Sequence, residues 1–85
     1  MKPILLTPRL CRAARALLGW QQKDLVEASG VSISTVGAFE AKAEQGRLTT
    51  MNNKALVEAF EKAGVEFIDE NGGGPGVRLR KRGRS

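Results

Sequence analysis

The spacing of apolar and polar positions divides the chain into two regimes. From Pro8 to about Ala63, apolar residues recur every three or four positions, the period of helices packed along one side. Leu10, Ala14, Leu17 and Leu18 form one such face. Thr7-Pro8 opens that helix, because threonine caps a helix end and proline suits the first helical position; Gly19 closes it. Trp20 follows as a bulky apolar anchor near the turn. A short second helix starts at Gln21-Gln22, with Leu25, Val26, Ala28 and Ser29 predicted to face inward, and Gly30 ends it. Ser32 is a good N-cap for a third helix whose expected core residues are Val36 and Phe39. Residues 41–50 read as a polar loop or helix extension around Gly46. Thr49 or Thr50 then caps a fourth helix through about Ala63, with Leu56, Ala59, Phe60 and Ala63 as its apolar stripe.

After Gly64 the period drops to two. Val65 and Phe67 flank Glu66, and Val77 and Leu79 alternate with Arg78 and Arg80. The intervening Asp-Glu-Asn-Gly-Gly-Gly-Pro-Gly is turn chemistry. This predicts a β-hairpin with a long connection, with Glu66 facing the arginines across it. Two strands alone are marginal in water, so the hairpin must lean on the helices or pair with another copy of itself. The expected fold is mostly α: four to five helices in residues 1–64, a hairpin in 65–80, and a basic tail in 81–85.

Composition narrows the chemistry. Eighty-five residues leave room for one domain with a modest core. The absence of His removes the usual general base and the commonest metal ligand. One cysteine, Cys11, makes neither an internal disulfide nor a thiolate zinc cluster. No enzyme, metal or cofactor is expected. The longest apolar run is far short of the ~20 residues of a membrane span. The amino-terminal residues lack an adequate signal-peptide core, so a reduced, cytoplasmic protein is the expectation. Charge is uneven. Residues 1–70 hold nine basic and nine acidic side chains, so the whole net charge of +5 lies in residues 71–85 as Arg78, Arg80, Lys81, Arg82 and Arg84. Residues 1–20 also lack acids and carry Lys2, Arg9, Arg12 and Arg15. Such blocks favour polyanions, chiefly phosphate backbones, although a basic tail also serves solubility alone.

Between Gln22 and Ala41 two short helices are joined through Gly-Val-Ser, the spacing of a helix-turn-helix whose second helix is free to enter a major groove. The residues there resemble the lambda-repressor-like, Cro/XRE-type regulators. The likeness rests on Arg15-Ala-Leu-Leu-Gly-Trp, Gln22-Lys-Asp-Leu-Val, Gly30-Val-Ser, Val36 and Phe39-Glu40, and it covers residues 9 to about 64. The resemblance implies DNA-facing roles for Gln22, Ser32, Ile33, Ser34 and Ala38. It implies phosphate contacts from Lys23, Lys42, Arg47 and Lys54, and a structural ion pair between Arg15 and Glu40. It also implies a small regulator, more often a repressor, bound as a homodimer to a palindromic operator in double-stranded DNA. This chain departs from the pattern at Val26, where Ala is usual, and in the loop from Ala41 to Thr50. The reading face also lacks the Arg, Gln and Asn that give strong bidentate base contacts. Two alternatives stay open: a protein-interaction module such as an antitoxin or antagonist, and an RNA or general nucleic-acid binder driven by the basic tail. For Cys11, a small buried hydrophobe is weighed against a redox sensor whose flanking arginines would lower its thiol pKa if it were exposed.

Overall fold

The computed structural model describes residues 4–68 and 73–80. In chain order the elements are α1 (Pro8–Leu18), α2 (Gln22–Ser29), α3 (Ile33–Glu40), α4 (Thr50–Lys62), β1 (Val65–Ile68) and β2 (Gly76–Leu79). The architecture is mostly helical, with one two-stranded antiparallel hairpin.

Each helix starts where local chemistry places it. The Thr7 side chain accepts the Leu10 N–H, Ser32 accepts that of Thr35, and Thr49 accepts that of Asn52, each satisfying a donor with no partner inside the helix. In α2 the Asp24 carboxylate accepts the Gln21 N–H at 2.8 Å. Gly30 ends α2 at φ 79°, a left-handed turn that costs glycine little and lets α3 leave at an angle. Gly46 is needed for a different reason. A Cβ there would lie 2.6 Å from Lys42 Cβ, so only glycine lets the α3–α4 loop fold back over the end of α3.

The core joins the four helices and β1, with Val77 of β2 packed against it. Leu6, Cys11, Ala14, Leu25, Val31, Val36, Phe39, Leu56, Val57, Ala59, Phe60 and Val65 are buried together. Trp20 stacks on Phe60 with centroids 5.9 Å apart, and Phe60 meets Phe67 edge-on at 6.2 Å. That aromatic series fastens the α1–α2 turn and β1 to α4. The hairpin pairs Val65 with Leu79, Glu66 with Arg78, Phe67 with Val77 and Ile68 with Gly76. Glu66 and Arg78 form the expected cross-strand ion pair at 2.6 Å. The hairpin leans on the helices, β2 against α1 and β1 against α4.

Four residues expected to face inward do not join the core. Leu17 is partly exposed, because the buried strip of α1 runs through Cys11 and Ala14 and Leu17 lies about a quarter-turn from its centre. Ala28 is exposed, since α2 is held between α3 and α4 along a strip centred on Leu25. Ser29 is not a core contact but a turn brace whose Oγ accepts the Val31 N–H at 3.1 Å. Ala63 is exposed beyond the last turn of α4, while Val57 is buried, because α2 and β1 grip α4 from two sides. No helix among the described residues is long and apolar enough to cross a membrane.

Candidate nucleic-acid interface

The third helix has two unlike sides. Its inward side ends in Glu40, the one buried charged residue among those described. Four donors converge on that carboxylate. Arg15 gives a bidentate pair, Nη2 to Oε1 at 2.7 Å and Nε to Oε2 at 2.9 Å. Gln22 Nε2 donates to Oε1 at 3.0 Å, and the Cys11 thiol donates to Oε2 at 3.0 Å. Arg15 also donates to the Trp20 carbonyl, and Arg12 donates to the main-chain carbonyl of Glu40, capping the end of α3. One carboxylate therefore fixes α1, the start of α2 and the end of α3 relative to one another. Occupying all its acceptor sites offsets the cost of burying the charge.

The electrostatics follow. Burial alone would raise the Glu40 pKa, but hydrogen bonds from Arg15, Cys11 and Gln22 and the Arg15 charge outweigh it and hold the carboxyl below its ordinary value. The hydrogen bond to Glu40 raises Arg15 against the opposing effect of burial. Burial, reinforced by the adjacent carboxylate, raises the Cys11 thiol far above its usual range. The buried thiol is thus un-ionised: Arg15 and Arg12 pull its pKa down, but burial and Glu40 outweigh them.

The outward side carries Ser34 and Ala38, half a turn from Val36 and one helical turn apart, both exposed. Ile33, at the first position of α3, is 53% exposed. Ser32 Oγ is engaged with the Thr35 amide and hydroxyl, so its main task is to cap α3. Ser34, Ala38, Lys42 and Arg47 come together on one open groove of about 360 Å³ between α3, the following loop and the start of α4. Thr35, Thr49 and Asn52 also line it; none of these was singled out as a site residue from the sequence. Thr49 read only as a cap, and no local pattern places Asn52 opposite α3. Arg47 donates to the Gly46 carbonyl at 3.0 Å, which holds its guanidinium at the loop.

Lys23 and Lys54 are exposed but do not line this groove, and Ile33 and Ser32 lie at its α3 end rather than in its lining. Gln22, half-buried, is committed through Nε2 to Glu40. Arg9 is 3.7 Å from Glu44, whose carboxylate also accepts the Arg9 N–H near the start of α1. Lys2, Asp69, Glu70, Lys81, Arg82 and Arg84 lie outside the described residues. Asn53 plays a part unseen in the sequence. Its side chain accepts the Leu6 N–H and donates to the Ile4 carbonyl, tying the segment before α1 to α4. Among the described residues no cluster of His, Cys, Asp and Glu is suited to hold a metal ion. No family model matches the chain, and no curated protein matches it.

Proposed function

We propose that this protein is a sequence-specific DNA-binding regulator of lambda-repressor-like type that represses by occupying its operator. One observation carries the reading. The third helix is held from behind by the Glu40 cluster while Ile33, Ser34 and Ala38 stand exposed beside a groove rimmed by Lys42 and Arg47. A rigidly backed helix with small outward side chains can seat deeply in a major groove, and flanking cations meet the phosphates that fix its register. Ile33 and the Ala38 methyl suit thymine methyls, and the Ser34 hydroxyl suits several base edges. With few strong base contacts available, DNA shape and phosphate register supply part of the discrimination.

A single unit of this kind reads few base pairs, so a two-fold dimer on an inverted repeat supplies the remaining affinity. Selection of bound sequences from a random duplex library, at near-physiological salt, tests the proposal. An enriched inverted repeat with half-sites about one helical turn apart supports it. Salt-sensitive binding with no enriched sequence contradicts it. The second reading, a protein-interaction module on the same scaffold, draws on the lack of Arg, Asn or Gln among those outward positions; it predicts tight binding to a protein and weak binding to DNA.

A further inference from the structure

The loop that carries Lys42 and Arg47 is tied to the start of α1 by one side chain, Glu44. Helix α1 opens with one donor left over. Pro8 has no N–H, the Leu10 N–H goes to Thr7 Oγ1, and the Cys11 N–H goes to the Thr7 carbonyl at 2.9 Å. The remaining N–H, that of Arg9, donates to Glu44 Oε1 at 3.2 Å, from 35 residues away in the chain. No acid lies in the first turn of α1, so Glu44 also supplies negative charge where the helix favours it. The Arg9 guanidinium adds little: its Nε stands 3.7 Å from the same oxygen and its side chain is 77% exposed. The clamp is therefore a backbone N–H on a side-chain oxygen.

The same residue helps to seat Arg47. The Gly46 N–H closes the turn on the Ala43 carbonyl at 2.8 Å. Two carbonyls of that turn, Glu44 at 3.4 Å and Gly46 at 3.0 Å, accept from Arg47 Nη1. The guanidinium keeps Nε and Nη2, which have no hydrogen-bond partner among the described residues. Those two nitrogens form an edge that pairs with two oxygens of a phosphate. Arg47 lines the groove beside α3. We propose that Glu44 is a positioning residue for Arg47: its carboxylate, fixed on α1, sets where the carbonyl seats lie and so aims the free guanidinium edge at a DNA phosphate. The inference rests on the DNA-binding reading. Glu44 acts through Arg47 and does not itself meet the phosphate. Its clamp needs an acceptor oxygen rather than a charge, so glutamine serves in its place and alanine does not. Plain electrostatics predicts otherwise, since removing an acid favours a polyanion whatever replaces it.

Binding of the full chain to a labelled duplex of fixed, arbitrary sequence, followed by fluorescence anisotropy across a salt series, reads phosphate contacts without reference to any operator. Near physiological salt, Glu44→Ala should bind about 3- to 10-fold more weakly than Glu44→Gln, with a salt slope lower by up to about one. The two variants carry the same net charge, and Glu44 lies outside the buried core, so both keep the fold. Glu27→Ala and Glu27→Gln, at an exposed position on α2, make the same substitutions away from the loop and should bind alike. In chains that also carry Arg47→Ala, the difference between alanine and glutamine at position 44 should vanish, because the guanidinium to be aimed is gone. Glu44→Ala and Glu44→Gln chains that bind alike overturn this proposal and leave the DNA-binding reading standing. So does a difference that persists in full with Arg47→Ala, and so does a fall in melting temperature with no change in salt slope. A natural chain with no affinity for the duplex overturns both.

Discussion

The two sides of the third helix are built on opposite principles. On the inward side, Val36 and Phe39 are packed and every acceptor site of Glu40 is filled. On the outward side, Ser34 and Ala38 are small and exposed. Under the proposed function, the contrast separates the side that holds the fold from the side that would meet DNA. Side chains that fix the helix in space cannot easily vary, because each has several partners. Side chains on the outer surface have few partners in the folded chain, so exchanging them should alter what is bound without altering the fold.

The sharpest way to break the inward side is Glu40→Ala. It strands Arg15 and Gln22 without their acceptor and should cost about 3–5 kcal/mol, most of the stability of a small domain. Urea unfolding checks this, and a loss under about 1 kcal/mol would mean that the cluster is not a structural hub. The pH dependence sharpens the same point. The folded pKa of Glu40 is lowered, so its contribution is fully present above the unfolded value of about 4.3 and is lost as pH falls through the folded value. Thermal melts between neutral and acid pH should therefore show a steeper acid loss for the natural chain than for Glu40→Gln. Equal slopes would remove Glu40 from the account.

Smaller effects belong to the outer rim. Removing the charge of Lys42 or Arg47 should weaken binding to all duplex sequences alike and lower the salt slope by about one. A loss confined to one sequence would move these residues from phosphate contact to base reading. Gly37→Ala, measured by melting temperature, should stabilise by about 0.5–1 kcal/mol. The new Cβ meets only the Gln22 Oε1 at 3.6 Å, so the DNA sequence selected should be unchanged. A changed sequence would show that the duplex needs glycine there. Ser34→Ala should leave stability within about 0.5 kcal/mol.

Much of the scaffold was legible because it is local. Thr7, Ser32 and Thr49 cap the helices their positions suggested, and Gly19 and Gly30 end the first two. The hairpin followed from a change of period and the turn residues, and the Glu66–Arg78 pair from strand alternation. The Arg15–Glu40 pair was available only through the family resemblance, since no local pattern links residues 25 apart. What could not be read is long-range. Neither the Cys11 thiol on Glu40 nor the Asn53 clamp on Ile4 and Leu6 has a sequence signature. The groove joining Ser34 and Ala38 to Thr49 and Asn52 exists only once α4 has folded beside α3. The misplaced apolar residues, Leu17, Ala28 and Ala63, show the limit of periodicity: it locates a helix, but its neighbours decide how wide its buried arc is.

The central claim is that the outer side of α3 reads DNA, and Ser34→Asn tests it most directly. Asparagine pairs bidentately with adenine, while an exposed serine should be replaceable without loss of fold. Sequences selected from a random duplex library by the natural chain and by Ser34→Asn, at equal melting temperature, should differ at one position in each half-site, with adenine gained there. Identical selected sequences would contradict the assignment of α3 as the reading helix.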